Sequence, residues 1–130
     1  MVKSEKALRE ITTHKVNGFN EILKVVVVDD SDLRGANHEY QVIDTSPQNP
    51  DKIISRIDFQ KGGIVEKGVN GVTNEIILAI VMDRLQCFQN GTHSCPENAD
   101  ALHHLKCALD SLNVRTRDRI ARGVEGTSKV

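Results

Sequence analysis

Residues 73–102, TNEIILAIVMDRLQCFQNGTHSCPENADAL, decide the fold. Apolar side chains recur with a helical period up to Phe88, and Thr73 is a residue type that caps helix N-termini. The following FQNGTHSCP predicts that one helix ends and another begins. Gly91 suits the left-handed position after the first helix, and Pro96 suits the first turn of the second. Two helices joined by so short a loop predict an antiparallel hairpin.

The second helix is expected to run from about Pro96 to Arg122, with Gly123 as its stop. Its apolar stripe consists of Leu102, Leu105, Leu109, Leu112 and Ile120. The first helix differs, because its apolar side chains spread over most of the circumference at about 100° per residue. One partner helix and one small sheet can hardly cover them, so further protomers are expected to do so. A monomer with a fully central helix is the alternative.

The first half of the sequence predicts strands. Segments rich in Ile, Val and Thr lie near 10–16, 21–29, 38–44 and 52–60. Turn residues separate them, and VVVV at 25–28 lacks alternation, which indicates a strand buried on both faces. The predicted fold class is therefore α+β. An N-terminal antiparallel β-meander of about four strands occupies residues 1–61, and a C-terminal antiparallel two-helix hairpin occupies residues 62–130, in an oligomer.

Charge and composition exclude several classes of protein. The 17 basic and 18 acidic side chains leave a net charge of −1, so no global field attracts nucleic acid or a membrane. Three Phe, one Tyr and no Trp argue against a single-stranded nucleic-acid binder, which stacks bases on exposed rings. The apolar run 76–82 is far shorter than the roughly 20 residues of a membrane span. An odd number of cysteines and the lack of a signal-peptide pattern indicate a reducing, cytoplasmic setting.

Four arginines are concentrated in RTRDRIARGVEGT, residues 115–127. On a helix Arg115, Arg119 and Arg122 fall within about 60° of one another, while Arg117 points to roughly the opposite side. This strip borders the leucine stripe, where guanidinium groups can reach into a crevice and bind phosphates. The simpler alternative is a solvated cationic helix end, which the helix dipole favours.

Other motifs predict structure rather than chemistry. The histidines and cysteines invite a zinc site, but they lack a C-x-x-C pair, so buried thiols and surface imidazoles are expected and neither metal nor cofactor is predicted. These residues are His93, Cys95, His103, His104 and Cys107. DDSD at 29–32 predicts a strand-ending turn, since it lacks the glycine and glutamate of a calcium loop. The glycine-rich segment 62–71 lacks the P-loop ending and predicts a flexible connection, and the chain from Gly126 onward is expected to fray.

Three segments together resemble a known family. They are GVNGVTNEIILAIVMDRLQCFQNG, CPENADALHHLKCALDSL and RTRDRIARGVEGT. Over about residues 59–127 the chain resembles the phage Thoeris anti-defence family of signal sponges, whose helical hairpin is shared with the anti-CBASS sponges. After FQNG the family commonly continues with Pro and Phe, where this chain has Thr92 and His93.

The resemblance implies a non-enzymatic protein in the cytoplasm of the bacterial host. It would sequester cyclic ADP-ribose isomers of Thoeris systems and, as in many members, cyclic di- or trinucleotides of CBASS. Members are dimers or hexamers with pockets between protomers. The pocket aromatic and asparagine fall on Phe88 and Asn98, and the phosphate-binding arginines on Arg115 and Arg119. Arg122 joins them by helical phase.

Two other classes of function stay open at this point. The first is a small oligomeric nucleic-acid-binding regulator that contacts phosphates through the arginine strip, although neither a nucleic-acid polymer nor a membrane is the expected partner. The second is an enzyme that degrades the signal. No nucleophile–base pair is identifiable in the sequence, so binding without turnover is the prediction.

Overall fold

A computed structural model of the chain describes residues 8–32 and 35–130. The chain forms two compact units, Met1–Lys61 and Gly62–Val130. The first contains an antiparallel sheet, and the second is built from α-helices. This architecture confirms the predicted α+β class, a four-stranded meander followed by helices.

The sheet has the strand order β1-β2-β3-β4, and every neighbouring pair is antiparallel. The strands are β1 (Arg9–Ile11), β2 (Leu23–Val27), β3 (Glu39–Asp44) and β4 (Lys52–Asp58). Val42 pairs with Ser55 and Ile43 with Ile53, so Ile54 between them has no partner in β3 and forms a bulge. Such a bulge bends the edge strand β4 locally.

The first strand is shorter than predicted because the chain turns directly after it, where the Lys15 N–H donates to the Thr12 carbonyl at 3.0 Å. The NGFN segment, expected to be a turn, forms helix α1 (Gly18–Glu21). The Asn17 side chain accepts hydrogen bonds from the N–H groups of Phe19 and Asn20 at 3.0 and 3.2 Å. The Asn20 side chain accepts from the Asn17 N–H in return, at 3.2 Å. This reciprocal cap satisfies the first amides of the helix and replaces extended backbone with a helical turn.

Two adjacent valines of β2 are both buried. Val26 is 1% exposed and Val27 is 0% exposed. Successive side chains of a strand point to opposite faces, so β2 is covered on both faces, as VVVV predicts. Gln41, which pairs with Val26 from β3, is 2% exposed, and its Oε1 has no hydrogen-bond partner among the described residues.

The turn that ends β2 is organised by Asp29, which agrees with the prediction from DDSD. Its buried carboxylate accepts the backbone N–H groups of His38 at 2.9 Å and Glu39 at 3.0 Å. Asn37 donates through Nδ2 to the Asp29 carbonyl at 2.7 Å. Burial alone would raise the pKa of the Asp29 carboxyl, but the two backbone N–H groups stabilise its charged form and lower that pKa below the ordinary value.

The second unit contains three helices. They are α2 (Ile64–Lys67), α3 (Asn74–Gln89) and α4 (Pro96–Ala121). Thr73 caps α3 by accepting the Ile76 N–H at 3.2 Å. Cys95 caps α4, whose first residue is Pro96, and Gly123 follows the helix with φ 73°. The predicted hairpin is confirmed, as are the end signals at Thr73, Pro96 and Gly123.

The prediction for Gly91 is wrong. Asn90 caps α3 with a right-handed φ of −80°, and Gly91 is not among the glycines of positive φ. Its N–H donates to the Phe88 carbonyl at 3.1 Å. This bond closes a tight turn that requires no left-handed residue.

Helix α3 retains apolar surface that α4 does not cover. No residue of α3 is buried. Ile76, Ile80 and Val81 are 47%, 60% and 41% exposed. This exposure agrees with the broad apolar circumference predicted for the helix.

Asp29→Ala is expected to lower the free energy of unfolding by about 1 to 3 kcal/mol at neutral pH, because two partly buried N–H groups lose their acceptor. The folded pKa lies below the ordinary value of 3.8, so this stabilisation is complete above that pH. It is lost as pH falls through the folded pKa, where the native carboxylate takes up a proton. Urea unfolding across this range measures the effect, with exposed Asp30→Ala as the control. A difference that does not shrink at low pH would contradict the assignment.

Candidate functional site

Phe88 and Asn98, both predicted site residues, lie at the tip of the hairpin, where residues 90–95 connect α3 to α4. The rings of Phe88 and His93 are in contact, with centroids 5.9 Å apart and an angle of 41° between their planes. Asn98 donates through Nδ2 to the His93 carbonyl at 3.3 Å. His93 therefore joins the two residues, and the structure brings them together.

The loop at the tip is held by the side-chain amide of Gln89. Its Nε2 donates to the Cys95 carbonyl at 3.1 Å, and its Oε1 accepts the Cys95 N–H at 3.0 Å. The Cys95 Sγ accepts the Asn98 N–H at 3.4 Å. These bonds tie the end of α3 to the start of α4 and so position His93 and Asn98.

Arg84 is the residue at the tip that sequence reasoning missed. Its guanidinium carbon lies 5.0 Å from the centroid of the Phe88 ring, a cation–π distance. Residues four apart on a helix share a face, so the spacing of Arg84 and Phe88 was an available signal.

Arg119, at the far end of α4, has its guanidinium turned inward. It is 6% exposed. Its Nη1 donates to the Lys129 carbonyl at 2.8 Å, and its Nη2 donates to the carbonyls of Val124 and Thr127 at 2.9 and 3.0 Å. The Glu125 carboxylate lies 3.5 Å from Nε. Arg119 thus holds the C-terminal segment, residues 123–130, against the end of α4.

The other arginines of the motif are exposed and fall into two groups. Arg122 donates to the Asp118 carboxylate at 2.9 Å and to the Val130 carbonyl at 2.8 Å. Arg115 and Arg117 form no hydrogen bond or ion pair with any other described residue. Of the predicted three-arginine strip, Arg115 alone has a guanidinium without partners among residues 8–32 and 35–130.

The glycine-rich segment and the C-terminal segment hold each other. The Val65 N–H donates to the Gly126 carbonyl at 2.8 Å, and the Ser128 N–H donates to the Glu66 carboxylate at 3.0 Å. Gly63, which is buried, lies against the same backbone. The expectations of a flexible connection and of a frayed tail are therefore wrong, because each segment satisfies backbone groups of the other.

The structure does not bring the predicted aromatic and cationic residues together within one chain. Asn98 stands near the start of α4, and Arg115 stands near its end. The 17 residue steps from Asn98 to Arg115 span roughly 25 Å of helix. A site that contains Phe88, Asn98 and Arg115 therefore requires two copies of the chain.

The cysteines and histidines do not assemble a metal site in the described part of the chain. No group of three or more His, Cys, Asp or Glu side chains with suitable placement occurs there. On α4, the Cys107 Sγ lies 3.7 Å from Nε2 of His103, which is one turn away. The described helices also include none with the length and apolar character of a bilayer-spanning segment.

The fold and the tip define a small α+β protein whose helical hairpin carries an aromatic ring, an amide and guanidinium groups, the side chains that recognise bases and phosphates. No protein-family model matches the chain. The chain is 50% identical over 74 residues to Thoeris anti-defense 1 of Bacillus phage SBSphiJ7. The match covers 57% of this chain and 52% of that relative, so the chain spans about half the relative's length. This identity supports the relationship to the Thoeris anti-defence family that the motifs indicate.

Arg119→Ala is expected to lower the free energy of unfolding of the helical unit by about 2 to 3 kcal/mol, because three carbonyls lose charge-assisted bonds. In the folded chain the Val65 N–H donates to the Gly126 carbonyl. Release of the C-terminal segment in the variant would therefore expose this N–H to solvent. Hydrogen exchange at Val65 reports this release directly. The matched control is Arg117→Ala, which removes an unpaired arginine from the same helix. Equal exchange rates in the two variants would contradict the role of Arg119.

Gly63→Ala is expected to separate the two segments by steric conflict. An added Cβ would lie 2.7 Å from the Thr127 carbonyl carbon and 2.8 Å from the Gly126 carbonyl oxygen. Overpacking of this kind costs about 1 to 3 kcal/mol. Thermal unfolding measures the loss, with Gly18→Ala as control, since a Cβ there meets nothing within 4 Å. A Gly63 variant as stable as the control would show that the close approach is not maintained.

Proposed function

We propose that this chain is a phage anti-defence protein that binds cyclic ADP-ribose-type signals of the Thoeris system in the bacterial host and holds them without degradation. The observation that carries the proposal is the 50% identity over 74 residues to Thoeris anti-defense 1 of a Bacillus phage. The name of that relative supports the anti-defence role, and the side chains at the tip support a nucleotide ligand. Cyclic di- and trinucleotides of CBASS are the second ligand class, on the resemblance to the anti-CBASS sponges.

The chemistry of the tip fits the parts of a cyclic ADP-ribose isomer, which are an adenine, two phosphates and ribose hydroxyls. The half-buried Phe88 ring offers an apolar face for the base. Asn98 Oδ1 has no hydrogen-bond partner among the described residues, so it can accept from an amino or hydroxyl group. Arg115, near the other end of α4, makes no hydrogen bond or ion pair with another described residue, so its guanidinium can supply charge-assisted donors for phosphate.

Assembly is part of the proposed function. Phe88 and Asn98 of one protomer reach Arg115 only when it belongs to another, because roughly 25 Å of helix separates them in a single chain. The exposed Ile76, Ile80 and Val81 of α3 supply apolar surface for such contacts between protomers. We therefore propose a homo-oligomer, a dimer or a hexamer, with pockets between its protomers.

Arg119 and Arg122 remain predicted ligand-binding residues, but each would have to give up hydrogen bonds within the protein to contact a ligand. Their guanidinium groups already donate to carbonyls of the C-terminal segment. A phosphate oxygen is a stronger acceptor than a carbonyl, so direct contact with ligand requires an exchange of these bonds. Without that exchange, Arg119 and Arg122 act indirectly, by holding the C-terminal segment against the end of α4.

Calorimetry with a panel of cyclic ADP-ribose isomers and cyclic di- and trinucleotides tests the proposal. At least one isomer is expected to bind at micromolar protein. Phe88→Ala is expected to weaken that binding by about tenfold or more, since base stacking on an aromatic ring contributes about 1 to 3 kcal/mol. Phe19→Ala is the matched control, because Phe19 is 88% exposed and lies in the first unit.

Three results would overturn the proposal. The first is a panel without any binding. The second is ligand of altered mass after recovery from heat-denatured protein, which would identify an enzyme instead of a sponge. The third is retardation of DNA with a steep salt dependence in place of signal binding, which would favour the nucleic-acid-binding regulator.

A further inference from the structure

Arg84 and Phe88 form a preorganised pair on α3. The Arg84 guanidinium lies over the Phe88 ring at 5.0 Å, and the same ring contacts His93. The cation–π contact restrains the guanidinium without consuming a hydrogen-bond acceptor. Arg84 is therefore held in place while its N–H donors stay available.

The availability of these donors distinguishes Arg84 from the arginines that hold the C-terminal segment. Arg84 makes no ion pair or hydrogen bond with another described residue. Arg119 donates to three carbonyls, and Arg122 donates to a carboxylate and a carbonyl. An anion that binds Arg119 or Arg122 must first replace these acceptors, whereas one that binds Arg84 displaces only water.

We propose that Arg84 binds phosphate and that Arg84, Phe88, His93 and Asn98 form, within one protomer, a subsite for a purine nucleoside diphosphate. The base stacks on the Phe88 ring beside His93, and Asn98 Oδ1 accepts a hydrogen bond from it. The diphosphate binds the N–H groups of Arg84. This subsite deepens the proposed function and rests on it for the nature of the ligand.

The covalent structure of the ligand requires this proximity. A single ribose joins the base of a nucleoside diphosphate to its phosphates, so the stacking surface and the cation must be neighbours. Arg84 lies 5.0 Å from the Phe88 ring, whereas Arg115 of the same chain lies roughly 25 Å along α4 from Asn98. Within a single chain, therefore, the tip rather than the Arg115 end can bind the adenine and the phosphates of one nucleotide together. Arg115 of a second protomer then adds a further contact.

Titrations of the full chain with ADP and with adenosine, followed by NMR, test the subsite. Arg84→Gln is expected to weaken ADP binding by about tenfold, because a charge-assisted bidentate contact is lost, and to change adenosine binding by less than about twofold. Phe88→Ala is expected to weaken both. Arg84→Lys keeps the charge and is expected to restore part of the ADP affinity.

The matched control is Arg117→Gln, which removes another unpaired, exposed arginine and is expected to leave ADP binding unchanged. The subsite is ruled out if ADP leaves the Phe88 ring signals of the wild-type chain unshifted, or if Arg84→Gln binds ADP as tightly as wild type. The signal-binding role is tested separately with the cyclic ADP-ribose isomers. Isomer binding as tight in Arg84→Gln as in the wild-type chain would retain the signal-binding role and reject the subsite. ADP binding at the tip without isomer binding would support the subsite and reject the signal-binding role.

Discussion

The buried guanidinium of Arg119 is the contact on which the helical unit depends. A charge removed from water is tolerated only when its donors are satisfied, and here three carbonyls of the C-terminal segment satisfy them. As long as Arg119 is buried, residues 123–130 must therefore keep the conformation that places these carbonyls around its guanidinium. That path supplies an acceptor for Val65 and a donor for Glu66 in α2. One side chain thus links the end of α4, the C-terminal segment and the approach to α3.

The two ends of the helical hairpin differ in how many protein partners their polar side chains have. At the tip, the aromatic, amide and guanidinium groups have few protein partners, while the backbone beneath them is fixed by Gln89. At the other end most guanidinium donors serve the fold, and Arg115 is the exception in the predicted strip. In the proposed oligomer, a ligand held between protomers would contact the tip of one copy and Arg115 of another, because the 26-residue helix α4 keeps these two parts of the site apart within each chain.

Local signals account for what could be predicted from the sequence. Thr73 and Gly123 mark helix ends through their own backbone and side-chain chemistry, and the strands follow from β-branched runs between turns. The reciprocal Asn17 cap was missed because its residues are also those of turns. Helical phase places Arg119 on one strip with Arg115 and Arg122, but its inward orientation depends on carbonyls that the folded C-terminal segment supplies. Arg84 was not predicted, because it lies outside the cluster of arginines and is distinguished only by its contact with the Phe88 ring.

The two buried valines of β2 have a consequence for strand alignment. A one-residue slip normally moves apolar side chains into water, yet Val26 and Val27 are buried on opposite faces and VVVV would supply valine to both faces after a slip. The hydrophobic pattern therefore discriminates poorly between neighbouring alignments of β2 and β3. The Asp29 carboxylate discriminates well, since it bonds two successive backbone amides, His38 and Glu39. A single charged group at the end of the strand thus selects the native pairing for an apolar run that could slide.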